Sequence, residues 1–383
     1  MYDHTPVITP IERHRPASPS VDRPPAEASR AAIGSVGRPV RVAVIGVTGY
    51  AGGELVRLLA GHPSVEIVGL GGRDRSDEPL ATSQPHLAGL NLVLDSALPE
   101  ADVVCLALPH GVAASMAPGL VDGGHLVVDL GPDFRLADPA AYPSWYGFAH
   151  PAPALLARAV YGLPELHRPE LQRLEAQVGG IVAVPGCYPT ATLLALAPLA
   201  RAGLIADLVV DAKSGVSGAG RQARPELGFA EVNESVRAYG VAGHRHTPEM
   251  VQELAAVSPA ANEAIDGLEF VPHLVPMTRG ILATCYVRPS RPVGEAELAA
   301  LYQTAYAGEP FVQLVDAPPA TKHVVGTNEA RVHVRRQARS GRIVAMAVID
   351  NLVKGAAGQA IQALNAVLGL DERTGLAALA VQP

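Results

Sequence analysis

Cys187 stands in the part of this chain with the clearest potential for chemistry. An apolar run at residues 181–184 precedes the sequence P-G-C-Y-P-T at residues 185–190, and residues that favour helices follow. The run predicts a buried strand, and Pro189 suits the opening of a helix because its missing N–H would have no helical partner there. Cys187 is therefore expected in the first helical turn, where the positive end of the helix dipole favours the thiolate, the nucleophilic form of cysteine. The alternative is a small buried hydrophobic residue, which free cysteine usually is.

Glycines at a second place have the spacing of a dinucleotide-binding loop. The apolar segment Val40–Ile45 runs into G-V-T-G-Y-A-G-G at residues 46–53, and a helical pattern follows. Such glycines permit a tight turn and let backbone N–H groups approach a pyrophosphate, which the N-terminus of the next helix also favours. The spacing is a relative of the standard fingerprint rather than a copy, and a purely structural turn is the alternative. The candidate cofactor contacts here are Gly46, Thr48, Gly49, Tyr50, Ala51 and Gly52.

The end of the second predicted strand indicates which dinucleotide is bound. An NAD-specific site places Asp or Glu there to bond the ribose hydroxyls. This chain has G-G-R-D-R-S at residues 71–76, so the strand ends on glycines and arginines follow. Because arginine pairs well with a 2′-phosphate, NADP(H) is the predicted cofactor, with Arg73 and Ser76 as contacts. Asp74 argues against this assignment, and a solvated loop is the alternative.

Two histidines are the candidates for proton transfer. A cysteine nucleophile beside a nicotinamide implies thioester chemistry on an acyl group, which needs a proton shuttle. His244 and His246, in G-H-R-H-T-P-E at residues 243–249, are the best candidates because imidazole transfers protons near neutral pH. If this segment is extended, both histidines share a face and Arg245 points the other way. Surface histidines in a loop are the alternative.

A second glycine-rich loop, S-G-V-S-G-A-G-R at residues 214–221, is a candidate anion site. Its backbone amides can form a nest, and Arg221 can add a bidentate contact to a carboxylate or phosphate. A flexible hinge is the alternative. From this loop we assign Ser214 and Arg221 to the substrate, and Ser217 and Gly218 to the cofactor.

Two further candidates follow predicted strands. Arg135, after the strand at residues 125–130, is a possible anion ligand, and Pro109 with His110 follows the strand at residues 101–108 at the expected cofactor crevice. No metal site is predicted, since the H-R-H pair lacks a third ligand at a suitable spacing.

Composition narrows the class of protein. The chain has 383 residues, 48% hydrophobic and 17% charged, which suits two domains with large cores. A net charge of −7 argues against a nucleic-acid partner. Three cysteines, an odd number without C-x-x-C spacing, suit a reducing compartment rather than a disulfide framework. No apolar run approaches the roughly 18 residues of a membrane span, so a soluble cytoplasmic protein is expected.

The chain divides into three regions of different character. Residues 1–37 are rich in proline with little apolar periodicity, which predicts a disordered extension; the four acidic residues there disfavour a transit peptide. From Val40, apolar strands alternate with helical patterns, which is typical of a doubly wound parallel α/β sheet. Beyond Cys187, strands joined by short turns predict a second, α+β domain with a mainly antiparallel sheet. They are expected at residues 208–212, 268–274, 281–287, 331–335 and 342–349, with a last amphipathic helix at 354–368.

Taken together, these segments resemble the N-acetyl-γ-glutamyl-phosphate reductase family, a relative of aspartate-semialdehyde dehydrogenase. The resemblance spans about residues 40–368 and rests on the loops described above, together with Y-G-L-P-E-L at residues 161–166 and D-N-L-V-K-G-A-A-G-Q at residues 350–359. The combination of P-G-C-Y-P-T with H-R-H-x-P-E separates this family from the aspartate-semialdehyde enzymes.

The resemblance implies an organisation and a reaction. A Rossmann domain at residues 38–186, completed by 355–383, is expected beside a catalytic domain at 187–354, with Asn351 near the nicotinamide. Cys187 is expected to attack the acyl phosphate of N-acetyl-γ-glutamyl phosphate and release phosphate. NADPH would then reduce the thioester to N-acetylglutamate 5-semialdehyde, a step of arginine biosynthesis. His244 aligns with the family's acid/base histidine, although His246 is close enough to take that role, and the family implies a homodimer or homotetramer.

Two alternatives stay open at this stage. A reductase with the same chemistry could act on a carrier-bound or aminoadipyl acyl phosphate, which substrate assays would distinguish. A non-catalytic NADP-binding regulator would need neither the cysteine nor the histidines, so their presence disfavours it.

Overall fold

A six-stranded parallel sheet forms the first half of the computed structural model, which describes residues 38–72, 76–174, 179–259 and 263–381. Its strand order is β2-β1-β3-β4-β6-β5, and every paired neighbour runs parallel. The strands are β1 Val40–Ile45, β2 Val65–Gly71, β3 Val103–Leu106, β4 Leu126–Asp129, β5 Val160–Tyr161 and β6 Ile181–Ala183. Near-continuous apolar strands predicted this arrangement, because strands covered by helices on both faces have no solvent side.

A seven-stranded mixed sheet follows, in the order β11-β12-β13-β10-β7-β9-β8. Four of its six pairings are antiparallel and two are parallel, so the prediction of a mainly antiparallel sheet is confirmed. The strands are β7 Ile205–Gly215, β8 Arg237–Ala238, β9 Glu269–Val275, β10 Ile281–Pro289, β11 Val312–Leu314, β12 Ala330–Arg336 and β13 Ile343–Ile349.

Helices cover both sheets, and within the described ranges none is long and apolar enough to cross a membrane. They are α1 Tyr50–Leu59, α2 Val112–Asp122, α3 Tyr142–Tyr146, α4 Pro153–Leu156, α5 Pro164–Leu174, α6 Cys187–Arg201, α7 Phe229–Val232, α8 Thr247–Val257, α9 Glu263–Asp266, α10 Glu295–Ala305 and α11 Gly358–Val367. The expected last helix is divided: a wide π-helical turn, Val353–Ala357, precedes α11.

Helix α6 connects the two sheets. It runs from the end of β6, and its buried leucines share one core with alternate residues of β7, β10 and β13. Helix α11 instead shares a core with β1 and α1, so the end of the chain returns to the parallel sheet. All described residues fall within one compact unit, and the boundary at residues 186 and 187 stays a prediction. Residues 1–37 lie outside the described part of the chain.

Candidate active site

The glycine-rich loop after β1 is built by close backbone contacts. Gly46 has a φ of +96°, and a Cβ there would lie 2.2 Å from the carbonyl oxygen of Ala107. A Cβ at Gly52 would lie 2.3 Å from the carbonyl oxygen of Gly46, so only glycine lets α1 approach the loop this closely. Gln84 braces the loop from outside, since its Nε2 donates to the carbonyls of Val47 and Gly49, both at 2.9 Å. Sequence reasoning missed Gln84.

A cavity of about 660 Å³ lies at the carboxyl ends of the parallel strands. In doubly wound sheets this edge is where ligands bind. The dinucleotide loop, Cys187 and the second glycine-rich loop all contribute to its lining. Of the predicted residues, its lining includes Gly49, Tyr50, Ala51, Gly52, Pro109, His110, Arg135, Cys187, Ser217, Gly218, Arg221, His246 and Asn351.

Cys187 is the first residue of α6, with Gly186 as the N-cap, so its predicted location is correct. The Val353–Ala357 turn packs behind it, and a Cβ on Gly355 would lie 2.8 Å from the Cβ of Cys187. Burial raises the pKa of the Cys187 thiol above its usual value, while Arg135 and backbone N–H groups oppose this shift. The helix start therefore favours the thiolate as expected, but desolvation outweighs this effect and the net pKa is raised rather than lowered.

His246 lies against Gly186, in the turn that begins α6 at Cys187. It is the N-cap of α8, and a Cβ added to Gly186 would lie 2.5 Å from its Nε2. A second cavity, of about 470 Å³, is lined by both His244 and His246 together with Cys187 and Tyr239, whereas His246 alone of the two histidines also lines the larger cavity. The two cavities thus meet at Cys187 and His246.

The segment before α8 is a turn and not extended, so the condition under which Arg245 would point away from the two histidines is not met. The backbone N–H of His246 donates to Nδ1 of His244 at 3.1 Å, and Arg245 lines both cavities beside the histidines. Proline at the second position of α8 favours a helix start here. Arg245 also reaches the parallel-sheet side, where its Nη1 lies 2.7 Å from Nε2 of His110.

Both histidines are neutral near pH 7. Burial lowers the pKa of His244 to about 4, and Arg245 adds to the effect. Burial also lowers the pKa of His246 well below its usual value, helped by the nearby His244, Arg135 and Arg245. A neutral imidazole can accept the proton of a thiol, which is what a nucleophilic cysteine requires.

The predicted anion ligands have different surroundings from one another. Arg135 is buried, and its Nε and Nη2 donate to the carbonyls of Val184 at 2.7 Å and Leu130 at 2.9 Å. Arg221 donates to the carbonyl of Thr48 at 3.0 Å and to that of Ser83, which places it beside the dinucleotide loop. These contacts leave fewer N–H groups for a ligand than a free guanidinium would offer.

The second glycine-rich loop is anchored through Asn351. Nδ2 of Asn351 donates to Oγ of Ser217 at 2.9 Å, and its Oδ1 accepts from the backbone N–H of Gly280 at 2.8 Å. Ser214 is buried and lines the smaller cavity with Gly218. Of the remaining candidates, Ser76 is exposed and Arg73 lies outside the described residues.

Glu249 is a residue of the site that sequence reasoning did not single out. It stands three positions after His246 on the first turn of α8, and its buried carboxylate accepts from the backbone N–H of Gly186 at 2.7 Å. The spacing H-x-x-E at a helix start was the available signal, because residues three apart in a first turn face the same side.

Comparison with known proteins agrees with this geometry. Residues 41–174 match the family described as semialdehyde dehydrogenase, NAD binding domain, and residues 187–351 match the semialdehyde dehydrogenase dimerisation domain. Aspartate semialdehyde dehydrogenase II of Vibrio cholerae, complexed with ASA, has a TM-score of 0.65 at 17% identity, covering 87% of this chain and 99% of that one. The Candida albicans aspartate semialdehyde dehydrogenase with NADP also has a TM-score of 0.65, at 16% identity, covering 86% and 98%. Fold and site together thus define an oxidoreductase of the semialdehyde dehydrogenase class.

Curated relatives narrow the class. The N-acetyl-gamma-glutamyl-phosphate reductase of Heliobacterium modesticaldum is 49% identical over 357 residues, covering 90% of this chain and all of that one. The protein of the same name from Moorella thermoacetica is 46% identical, covering 88% and 98%. This chain belongs to the N-acetyl-γ-glutamyl-phosphate reductase family, as its sequence motifs predict.

Proposed function

We propose that this chain reduces N-acetyl-γ-glutamyl phosphate to N-acetylglutamate 5-semialdehyde and phosphate, with NADPH as reductant, in arginine biosynthesis. The observation that carries the proposal is the position of Cys187 and His246 where the two cavities meet. One cavity has the glycine-rich wall that suits a dinucleotide, and the other offers space for a small acyl substrate. The family of the closely matching relatives supports the choice of substrate.

Cys187 is the nucleophile of this reaction. Its sulfur attacks the acyl carbon of the substrate, the bond from that carbon to the phosphate oxygen breaks, and phosphate leaves with the electron pair. The product of this half-reaction is a thioester on Cys187, which divides a difficult reduction into two easier steps. Gly186 and the start of α6 hold the sulfur at the junction of the cavities.

His246 is the acid/base residue. His244 supports it by accepting a hydrogen bond from its backbone N–H. His246 takes the thiol proton when Cys187 attacks and returns it when the sulfur is released with the aldehyde. The support is its contact with Gly186 and its lining of both cavities, whereas His244 lines only the smaller one of the two. This exchanges the roles that the family alignment favoured for the two histidines.

The larger cavity fits a dinucleotide. Gly49, Tyr50, Ala51 and Gly52 of the first loop line it together with Ser217, Gly218 and Asn351. The glycines at 46 and 52 allow the close backbone packing that forms this loop. NADPH, when bound, supplies the hydride that reduces the thioester. The loop N–H groups and the N-terminus of α1 would hold the pyrophosphate. Asn351 anchors the second glycine-rich loop through Ser217.

The sequence at and after the end of β2 supports the proposal of NADPH rather than NADH. The strand ends on Gly71 without an acidic residue, and the arginines at 73 and 75 supply the partners of a 2′-phosphate. The double variant Arg73→Ala/Arg75→Ala should raise the KM for NADPH at least tenfold and leave the KM for NADH nearly unchanged. An equal loss for both cofactors would contradict the assignment.

The experiment that tests the function is an assay of the purified protein in the reverse direction. N-acetylglutamate 5-semialdehyde should reduce NADP only when phosphate is present, because phosphate must cleave the thioester. Aminoadipyl and carrier-bound analogues serve as the competing substrates. Activity on one of these alone would replace the proposed substrate, and no activity on any would favour a binding protein.

We also propose that the chain works as a homodimer or homotetramer in the cytoplasm. The side chains of β10 alternate, and those that point away from the α6 core include Leu282, which is half-buried, and Tyr286, which is 37% exposed. The matched dimerisation domain contains this strand. A free Cys187 suits a reducing compartment. Light scattering should give a multiple of the chain mass of 39.7 kDa. Tyr286→Arg should weaken the assembly more than Leu379→Arg, which changes another exposed apolar residue.

A further inference from the structure

Glu249 contacts the turn that carries Cys187. Its side chain is fully buried, and Oε1 accepts two hydrogen bonds, from the backbone N–H of Gly186 at 2.7 Å and from the hydroxyl of Tyr161 at 2.8 Å. Gly186 is the N-cap of α6, so its peptide determines the direction in which Cys187 leaves the strand. Oε1 of Glu249 therefore holds the Gly186 peptide in place and links it to the buried Tyr161.

The other carboxylate oxygen of Glu249 faces a buried cation. Oε2 lies 3.7 Å from Nη1 of Arg135 and has no hydrogen-bond partner among the described residues. Arg135 is itself held by the carbonyls of Val184 and Leu130. The ion pair has little access to solvent, and the backbone holds its cation. Burial raises the pKa of Glu249, and the charge of Arg135 with the hydrogen bonds from Gly186 and Tyr161 opposes that shift and favours the carboxylate.

The two members of the pair act on Cys187 in opposite directions. Arg135 lowers the pKa of the thiol and Glu249 raises it, in addition to the effect of burial. The titratable groups that surround Cys187 from other elements are Arg135 after β4, Tyr239, His244, Arg245 and His246 before α8, and Glu249 within it. The smaller cavity, which Cys187 also lines, adds Arg224, Glu226 and Arg237 to these groups. Glu249 is the carboxylate that acts on the pKa of Cys187.

We propose that Glu249 is a positioning residue for the nucleophile: it anchors the Gly186 peptide and balances the charge of Arg135, so that Arg135 serves Cys187 and not an anionic part of the substrate. The start of helix α8 thereby brings two groups to the turn that carries Cys187. His246 transfers the proton of the thiol, and Glu249 anchors the Gly186 peptide. The inference rests on Cys187 as the nucleophile, but thiol alkylation measures it without turnover. Its failure is therefore distinguishable from failure of the proposed reaction.

The test is the pH dependence of iodoacetamide alkylation at Cys187. Glu249→Gln removes the negative charge and keeps an oxygen acceptor for Gly186 and Tyr161, so the midpoint of alkylation should fall by about one pH unit. Glu253→Gln is the matched control, since it removes a buried carboxylate one turn further along α8 and should not shift the midpoint. Cys105 and Cys285 are buried, and Cys187→Ser gives the background rate.

The anchoring role has its own readout. Glu249→Ala removes the acceptor as well as the charge, so it should lower kcat about 10²-fold below Glu249→Gln with a smaller change in KM. Equal kcat values for the two variants would overturn the anchoring role, and an unchanged or higher alkylation midpoint in Glu249→Gln would overturn the charge role.

A variant at Arg135 covers the case in which Glu249→Gln does not fold. Arg135→Gln should raise the alkylation midpoint by about one pH unit, because the thiolate loses a cation that lowers its pKa. A midpoint that stays or falls would overturn the proposal by itself. If Arg135→Gln alters the KM for the acyl phosphate while the midpoint stays, Arg135 binds substrate instead.

Discussion

At Cys187, burial and charge compete for the thiol proton. The sulfur begins a helix, where backbone N–H groups stabilise an anion, yet removal from water has the larger effect and raises the pKa. A buried cysteine with a high pKa needs a base within reach at the moment of attack, and the neutral His246 beside Gly186 meets that need. The two side chains therefore have the positions that the proposed cysteine–histidine pair requires.

Replacement of the nucleophile tests the covalent step. Cys187→Ser should retain binding of NADPH, since the dinucleotide loop is untouched, and lose turnover by at least about 10³-fold because a hydroxyl is a far poorer nucleophile at neutral pH. Steady-state kinetics and cofactor fluorescence measure the two effects. Activity within tenfold of wild type would refute the thioester mechanism.

Replacement of each histidine in turn by asparagine tests which one transfers the proton. His246→Asn should lower kcat by about 10²–10⁴-fold with substrate affinity roughly kept, and should remove the acidic limb of the pH profile. His244→Asn, which changes the wall of the smaller cavity, should raise KM more than it lowers kcat. If His244→Asn loses the limb instead, the roles are the reverse of those proposed here.

At the level of elements, the site is assembled from the starts of helices and the turn after β13. Helices α1, α6 and α8 each begin at the cavities, and their first turns carry the glycine loop, Cys187 and Glu249. The turn Val353–Ala357 returns behind Cys187 and is wider than an α-helix. Its glycine at position 355 lets the backbone pass within van der Waals distance of the nucleophile.

A methyl group in that turn should displace the nucleophile. Gly355→Ala would place a Cβ 2.8 Å from the Cβ of Cys187, which is closer than carbon atoms tolerate, and 3.3 Å from its Cα, which is a tight contact. We expect kcat/KM to fall about 10²-fold and the free energy of unfolding to fall by about 1–3 kcal/mol. Gly119→Ala in α2 is the control, because nothing lies within 4 Å of a Cβ there. A fully active Gly355→Ala variant would show that the turn can shift without cost.

On the scale of the molecule, an ion pair joins helix α1, after the dinucleotide loop, to the turn between β9 and β10 of the seven-stranded sheet. Glu54 of α1 receives bidentate hydrogen bonds, both 2.9 Å, from Arg279 in the turn between β9 and β10. Arg279 also lies 3.5 Å from Asp350, next to Asn351. Burial raises the pKa of Glu54, but the hydrogen bonds from Arg279 and Arg57 outweigh it and lower the pKa to about 2.

This pair should make stability depend on pH in the acidic range. Because the pKa of Glu54 is lower in the folded than in the unfolded chain, its contribution is complete above about pH 4.5 and is lost as pH falls towards 2. Glu54→Gln should therefore reduce the free energy of unfolding at pH 7 by up to about 3 kcal/mol. The difference from wild type should shrink below pH 4.5 in urea melts taken at several pH values.

The control for that experiment is an exposed pair of the same type. Glu297 accepts two hydrogen bonds from Arg291 at the surface, and exposed ion pairs contribute little to stability. Glu297→Gln should leave the melts unchanged at every pH. A Glu54→Gln difference that persists at pH 2 would mean that packing, not charge, is responsible.

The sequence alone determined the parts that depend on local pattern. Apolar periodicity predicted β1 to the residue and the alternation of strands and helices, and the glycine, P-G-C-Y-P-T and H-R-H motifs predicted the family and the start of α6. These signals are local because strand and helix periods, turn glycines and helix starts are set by neighbouring residues. The sequence did not decide which of His244 and His246 is the acid/base residue. The two histidines are only two positions apart in one turn, so their sequence surroundings are nearly the same.

Only the tertiary structure decided the surroundings of each side chain. Glu249 meets its partners Gly186 and Tyr161 across 63 and 88 residues, and no local pattern encodes such contacts. The direction of the Cys187 pKa also depends on burial by the distant Val353–Ala357 turn and on Arg135, which comes from another strand end. Desolvation and charge act through space and not along the chain, so the chemistry of this site is fixed by packing between elements that the sequence keeps far apart.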